Sequence, residues 1–187
     1  ALQALLHGLD PARVRGRVIV VPYMNLPAFR AARRVSPIDG VNLNRAFPGD
    51  PRGTVTQKIA HYFDTELVPQ ADLVVDLHSG GRTLDFLPMA CAHELDSAEH
   101  EARCLAAARA FDAPWTLVLR EIDAVGMYDT AVEARGKTFV STELGGGGTA
   151  TAASVSIARR GVERVLVHAG VIEGALDAPR TRLLRMP

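Results

Sequence analysis

The chain alternates short runs of β-forming apolar residues with helical amphipathic segments, and this order constrains its fold more than any other feature. Apolar runs at residues 16–22, 72–77, 115–119 and 137–144 have the length and β-branched content of buried strands. Strands that alternate with helices predict an α/β fold in three layers, with a largely parallel or mixed central sheet and helices on both faces.

The spacing of apolar residues predicts the helices, and clusters of turn-forming residues predict the loops. A segment rich in Pro, Gly, Asn and Arg at residues 23–53 lacks periodicity, which is typical of functional loops. Residues 149–172 are predicted to form either one long helix or a pair of helices with a break at Gly161. Apolar residues recur at helical spacing in the following segments: 1–10, 54–71, 97–112, 127–136 and 149–172.

Composition narrows the class of protein. Of the 187 residues, 48% are apolar and 22% charged, and the formal net charge is zero, so neither nucleic acid nor an anionic membrane is indicated as a partner. No apolar run reaches the roughly 18 residues of a membrane span. Cys91 and Cys104 are too few for a disulfide framework, which favours the reducing cytoplasm.

His78 is the first candidate for chemistry, since it follows the apolar run 72–77 and precedes two glycines. Ligands of largely parallel sheets bind at the carboxyl ends of the strands, and neutral imidazole is a good metal ligand. Asp76 lies two residues earlier, on the same side of the strand, where its carboxylate could orient the ring. The alternative is a strand-end histidine that bonds only to backbone.

Glu143 is the second candidate, because it lies near the end of another apolar run and just before four glycines. A carboxylate in a partly dry cleft can act as a general base, and consecutive glycines let backbone approach a ligand closely. The alternative is a flexible glycine hinge beside an exposed glutamate.

The long loop supplies donors for an anionic group. Asn42, Asn44 and Arg45 carry amide and guanidinium groups, and arginine can hold a carboxylate with two parallel hydrogen bonds. Upstream lie Arg30, Arg33 and Arg34, and one of these arginines could stabilise an oxyanion if it points inward. For Asn42, Asn44 and Arg45 the alternative is a polar surface turn. For the upstream arginines it is a solvated basic face.

Three motifs in order, "GVNLNRAFPG", "DLHSGG" and "ELGGGG", resemble the succinylglutamate desuccinylase/aspartoacylase family of zinc carboxypeptidase-like hydrolases. The stretches "VPYMNLPAFR" and "DLHSGGRTLDFLP" are most similar to the branch that deacetylates N-acetyl-2,4-diaminobutyrate in ectoine degradation. The resemblance covers nearly the whole chain. It implies a zinc-dependent hydrolase that cleaves the amide bond of an N-acyl amino acid.

The resemblance also implies a metal site that this chain holds only in part. The family binds one zinc per subunit through a His-x-x-Glu pair and a later histidine, and the later histidine corresponds to His78. The other two ligands are expected upstream of Ala1, so the chain alone is expected to be inactive. Residues 1–173 are then the catalytic domain, and residues 174–187 a linker toward a C-terminal β region.

Further roles are carried over from the family residue by residue. Glu143 corresponds to the carboxylate that activates water, and Asn44 with Arg45 to the pair that grips the substrate. The arginine that polarises the scissile carbonyl best matches Arg34, with Arg33 as the second choice.

Three other functions stay open at this point. They are a different acyl-amino-acid hydrolase such as a desuccinylase, a carboxypeptidase acting on short peptides, and a metal-free module that binds an amino-acid derivative. In each case the partner is a small molecule, and a homo-oligomer is compatible with the sequence.

Overall fold

The computed structural model describes residues 1–120 and 122–186, and five strands form one sheet within them. Three of the strands lie within one residue of the apolar runs from which strands were predicted. The strands are β1 (Leu73–His78), β2 (Met89–His93), β3 (Trp115–Leu119), β4 (Thr138–Glu143) and β5 (Arg182–Arg185).

The helices begin at residues whose side chains satisfy exposed backbone N–H groups. Thr54 and Thr151 each form a capping box with the residue three positions later, and the Ser97 hydroxyl accepts from the N–H of His100. None of the helices in the described part of the chain is long and apolar enough to cross a membrane. The α-helices are α1 (Leu2–Gly8), α2 (Leu26–Arg30), α3 (Val55–Tyr62), α4 (Ala98–Phe111), α5 (Tyr128–Glu133) and α6 (Ala152–His168).

The sheet is mixed, with the strand order β1-β4-β2-β3-β5. β2 pairs with β4 antiparallel, while β3 runs parallel to both β2 and β5. β1 runs parallel to β4, because backbone bonds join Thr138 N to Asp72 O at 3.1 Å and Leu144 N to His78 O at 3.0 Å. The predicted α/β class with a mixed sheet is therefore confirmed.

The direction of β1 and β4 matters for the candidate site. They are adjacent and parallel, so their carboxyl ends lie side by side at the same end of the sheet. His78 is the last residue of β1 and Glu143 the last residue of β4. The His78 N–H also donates to the Thr142 hydroxyl at 3.2 Å, which ties the two strand ends together.

One predicted strand differs from the structure. Residues 16–22 form no strand; only Val14 makes an isolated bridge, with Ile172, and the β-branched Ile19 is 43% exposed. β-branched residues favour a strand only where a neighbouring strand can pair with them, and none does so here among the described residues. Of the two possibilities for residues 149–172, the single long helix is the one observed, because α6 continues through Gly161 without a break.

Two strands were not predicted. β2 is built from alanine, cysteine and histidine rather than β-branched residues, and buried packing holds it in place. β5 lies within residues 174–187, where a linker was predicted, and its side chains are exposed. It is held by parallel backbone pairing with β3 instead of by burial.

Contacts divide the chain into two compact units. The first comprises residues 1–20, 75–121 and 139–187, and the second comprises residues 21–74 and 122–138. The predicted domain limits at 173 and 174 stay predictions.

The first unit has its core between the sheet and two helices. α4 packs on β2 and β3, and α6 packs on α4. Phe111, Phe139 and Val118 are at most 1% exposed there. At the crossing of α4 and α6, a Cβ on Gly161 would lie 2.4 Å from the Phe111 ring, so only glycine permits this close approach.

The second unit is organised around an aromatic cluster. The Tyr128 ring lies 4.8 Å from the Phe47 ring and 5.8 Å from the Phe63 ring, centroid to centroid. Asp64 is 6% exposed and accepts two hydrogen bonds from the Arg135 guanidinium, at 3.0 and 2.6 Å. This bidentate pair satisfies a carboxylate that burial would otherwise destabilise.

Candidate active site

The His78 ring is held by the carboxylate that the sequence placed two residues earlier. The Nε2 atom lies 2.8 Å from Asp76 Oδ2, and the two side chains are 38% and 13% exposed, respectively. In the tautomer that carries its proton on Nε2, the ring donates to Asp76 and has its lone pair on Nδ1. The strand alternation thus gives an oriented, half-exposed imidazole at the end of β1.

Glu143 is half-buried at the end of β4, with its Oε2 atom shielded from solvent. Its charge acts on Cys91 of the adjacent strand: burial and the Glu143 carboxylate together raise the pKa of the Cys91 thiol to about 12. The Glu143 carboxylate therefore interacts electrostatically with a buried group of the neighbouring strand.

Backbone pairing fixes the glycine-rich turn after Glu143. The Gly80 N–H donates to Gly145 O at 2.9 Å, and the Gly147 N–H donates to Leu84 O at 2.9 Å. A Cβ on Gly146 would lie 1.9 Å from Leu84 O, so the two turns approach as closely as backbone allows. The turns that follow β1 and β4 are thereby joined, and Asp85 is brought against Gly145.

The donors predicted in the long loop lie in the second unit. Asn42 caps a single 3₁₀ turn, Leu43–Arg45, by accepting from the Asn44 N–H at 3.1 Å. The Asn44 Oδ1 in turn accepts from the Tyr128 N–H at 2.8 Å. Both amide oxygens therefore shape the loop, and the donors of these two side chains are their NH₂ groups.

The Arg45 guanidinium is accessible. Its side chain is 41% exposed, lies 3.9 Å from Asp123 and donates to Asn44 O at 2.6 Å. The loop that carries it is pinned by Gly126, since the Phe47 N–H donates to Gly126 O and a Cβ at Gly126 would lie 2.6 Å from Arg45 O.

Arg33 and Arg34 are both exposed just after α2, in the second unit. The structure thus brings His78 together with Asp76, at the same sheet edge as Glu143, in the first unit. Asn42, Asn44 and Arg45 form a local group in the second unit.

A complete metal site is not formed by these residues. Within residues 1–120 and 122–186 no group of three His, Cys, Asp or Glu side chains could hold a metal ion. Catalytic zinc sites use three protein ligands. His78, oriented by Asp76, has the chemistry of one ligand of such a set.

Two acidic residues went unnoticed in the sequence. Asp39 accepts from the Thr56 N–H at 2.7 Å and from the Thr56 hydroxyl at 2.9 Å. Burial raises its pKa, but bonds from Thr56 and Val41 outweigh this and hold the pKa well below the usual range. The contact with Val41 could have been predicted, because the sequence Asp-Gly-Val at residues 39–41 is typical of an Asx turn. In such a turn the Asp side chain accepts from the N–H two residues later. Asp85 has no such local signal, because its position depends on the pairing of distant turns.

Comparison with known proteins identifies the family of the chain. Residues 1–169 match the family model described as the succinylglutamate desuccinylase/aspartoacylase catalytic domain. The chain belongs to this family, and the resemblance of its three motifs is confirmed.

Individual relatives are closely similar. An N-alpha-acetyl-L-2,4-diaminobutyric acid deacetylase from Halomonas elongata is 57% identical over 179 residues, which are 96% of this chain and 52% of that protein. The product-bound ectoine utilization protein EutE (DoeB) from Ruegeria pomeroyi has a TM-score of 0.96 at 54% identity, over 100% of this chain and 57% of that one. A succinylglutamate desuccinylase from Silicibacter sp. TM1040 has a TM-score of 0.96 at 55% identity, over 100% and 56%. The chain thus spans about half the length of these relatives.

Proposed function

We propose that the protein hydrolyses the amide bond of an N-acyl amino acid and that its substrate is N-acetyl-2,4-diaminobutyrate, an intermediate of ectoine degradation. The observation that carries this proposal is the 57% identity to the Halomonas deacetylase across nearly the whole chain. The similarity to EutE, a protein of ectoine utilization, points to the same pathway.

In this proposal Glu143 is the general base. Its carboxylate accepts a proton from the attacking water, the oxygen adds to the acetyl carbonyl carbon, and Glu143 returns the proton to the leaving amine. Its half-buried position at the end of β4 supports this role, because partial desolvation makes a carboxylate a better base. The products are acetate and 2,4-diaminobutyrate.

The substrate carboxylate and the oxyanion are assigned to arginines. Arg45 holds the carboxylate with its exposed guanidinium, assisted by the NH₂ groups of Asn42 and Asn44. Arg34, or Arg33 in its place, donates to the oxygen that becomes negative during attack. Removal of one such donor typically costs about 100- to 1,000-fold in rate.

We further propose that the enzyme is a metalloenzyme and that its metal is zinc, with His78 as one ligand and Asp76 as the acceptor that orients it. When bound, zinc supplies Lewis-acid activation of water and of the acyl carbonyl. Metal analysis of the native full-length protein should give close to one zinc per subunit, and His78→Ala should lower that content. A full-length protein that purifies without metal and stays active contradicts this part.

Hydrolysis of a substrate panel tests the main proposal. The native full-length protein is assayed with N-acetyl-2,4-diaminobutyrate, N-succinylglutamate, N-acetylaspartate and a short peptide. Release of acetate from the first compound at the highest kcat/KM supports the deacetylase. Hydrolysis of the peptide alone would instead support a carboxypeptidase, and binding without turnover a non-catalytic module.

A desuccinylase is the second candidate, since the similar Silicibacter structure carries that name. Preferred release of succinate from N-succinylglutamate in the same panel would favour it.

The cellular setting is also a proposal. Cys91 and Cys104 are buried and neither forms a disulfide, which suits a reducing cytoplasm. The partner is a small N-acyl amino acid, and sedimentation analysis would show whether the enzyme is a homo-oligomer.

A further inference from the structure

A loop at residues 122–127 lies against the loop that carries Arg45, and both belong to the second unit. The Phe47 N–H donates to Gly126 O at 3.1 Å. A Cβ on Gly126 would lie 2.6 Å from Arg45 O, so the two backbones are in direct contact. The carboxyl-terminal end of the 122–127 loop is therefore fixed beside the arginine that is proposed to hold the substrate carboxylate.

The rest of the 122–127 loop gains little from burial. Ile122 is 92% exposed and Val125 is 82% exposed, more than any other large apolar residue in the part of the chain that the structure describes. A segment with few buried apolar contacts opens at a low cost in free energy. Polar contacts therefore contribute much of what holds this part of the loop in place.

Asp123 supplies a polar contact of this kind. Its Oδ2 atom lies 3.9 Å from Arg45 Nη2, and the side chains of Asp123 and Arg45 are 69% and 41% exposed, respectively. Arg45 Nη1 donates to Asn44 O at 2.6 Å, which holds the guanidinium in this orientation. Ion pairs between groups this exposed are weak, so another carboxylate can replace Asp123 at little cost.

We propose that Asp123 takes the place of the substrate carboxylate on Arg45 in the unliganded protein and that a bound N-acyl amino acid displaces it. This inference rests on the proposed function. Both groups are carboxylates, and they compete for the same Nη2 donor. They also repel each other, so the bound substrate favours a 122–127 loop released from Arg45. Asp123 thus lowers the affinity for the substrate, and only a ligand with a carboxylate releases the loop.

Asp123→Asn in the native full-length protein tests the competition. Loss of the negative charge should lower KM for N-acetyl-2,4-diaminobutyrate about two- to fivefold, the range of an exposed ion pair, without lowering kcat. A purely structural role of Asp123 predicts the opposite direction, because a displaced Arg45 would bind the substrate less well. Asp72→Asn removes another exposed carboxylate of the second unit and should leave KM unchanged.

Hydrogen exchange, followed by mass spectrometry of peptic fragments, tests the release of the loop. When the product 2,4-diaminobutyrate saturates the native full-length protein, the backbone N–H groups of residues 122–127 should exchange about two- to fivefold faster, because the contact between Asp123 and Arg45 is broken. In Asp123→Asn they should exchange at the faster rate without any ligand. The amide 2,4-diaminobutyramide has no carboxylate and should leave the wild-type rate unchanged.

The outcomes distinguish this inference from the proposed function. If the wild-type protein hydrolyses N-acetyl-2,4-diaminobutyrate but Asp123→Asn has an unchanged or raised KM, the inference about Asp123 is wrong and the proposed function stands. Slower exchange of residues 122–127 with the product bound, as in a loop that closes over its ligand, likewise contradicts the inference alone. If the wild type hydrolyses no N-acyl amino acid, the proposed function fails, and the inference with it.

Discussion

Gly161→Ala should destabilise the protein, although alanine is the better helix former. In an exposed helix interior this change would stabilise by about 1 kcal/mol. Here the new Cβ would lie 2.4 Å from both Cε1 and Cζ of Phe111, about 1 Å inside ordinary van der Waals contact at 3.4 Å. The ring is fully buried, so it has little room to move.

Overpacking of a core costs about 1–3 kcal/mol. Set against the helix-propensity gain of about 1 kcal/mol, it leaves a net loss of up to about 2 kcal/mol in the free energy of unfolding. For a chain of this size the melting temperature should fall by up to roughly 8 °C. Thermal denaturation followed by circular dichroism measures the shift.

The matched control is the same change in a Phe111→Leu background. Leucine lacks the Cε1 and Cζ atoms, so Gly161→Ala should cost less there, and the two changes should not be additive. A Gly161→Ala protein that melts higher than the wild type would refute the packing at the α4–α6 crossing.

Two substitutions and one labelling experiment test separate features. Arg45→Lys should raise KM about tenfold with little change in kcat, because lysine cannot make the bidentate grip; steady-state kinetics showing an unchanged KM would contradict the clamp. Asp39→Ala should cost about 2–3 kcal/mol in urea unfolding at neutral pH, since it removes charged acceptors of the Thr56 donors. Because the folded pKa of Asp39 is lowered, its stabilisation is present above the unfolded pKa of about 4 and is lost as the pH falls below it; a deficit that is independent of pH would contradict the assignment. Cys91 should resist alkylation in the native protein at neutral pH and react after denaturation, since its raised pKa and burial leave almost no accessible thiolate. Rapid labelling of Cys91 in the native state, detected by mass spectrometry, would contradict it.

The strands that could be predicted are those whose own side chains favour the extended conformation. β1, β3 and β4 contain β-branched runs, and each lies within a residue of its prediction. β2 is stabilised by burial of small residues and β5 by backbone pairing with β3, so neither has a local sequence signal. The reversed direction of β2 relative to β4 depends on tertiary pairing, which periodicity does not encode.

The same distinction applies to the candidate site: contacts within one strand could be predicted from the sequence, and contacts between distant segments could not. The contact between Asp76 and His78 follows from the two-residue period of a strand and was predictable. The position of Glu143 followed from the end of an apolar run. Asp85 could not be found this way, because it reaches the glycine turn only through its pairing with the distant Gly146.

The rate of amide hydrolysis by Glu143→Gln in the native full-length protein is the most direct test of the central claim. Glutamine keeps the size of the side chain but cannot accept the proton. The proposal predicts a fall in kcat of about 100- to 10,000-fold on N-acetyl-2,4-diaminobutyrate, with melting temperature and zinc content unchanged. Glu99→Gln, on the exposed face of α4, serves as the control and should keep full activity. A Glu143→Gln protein that retains most of the wild-type kcat would contradict the account.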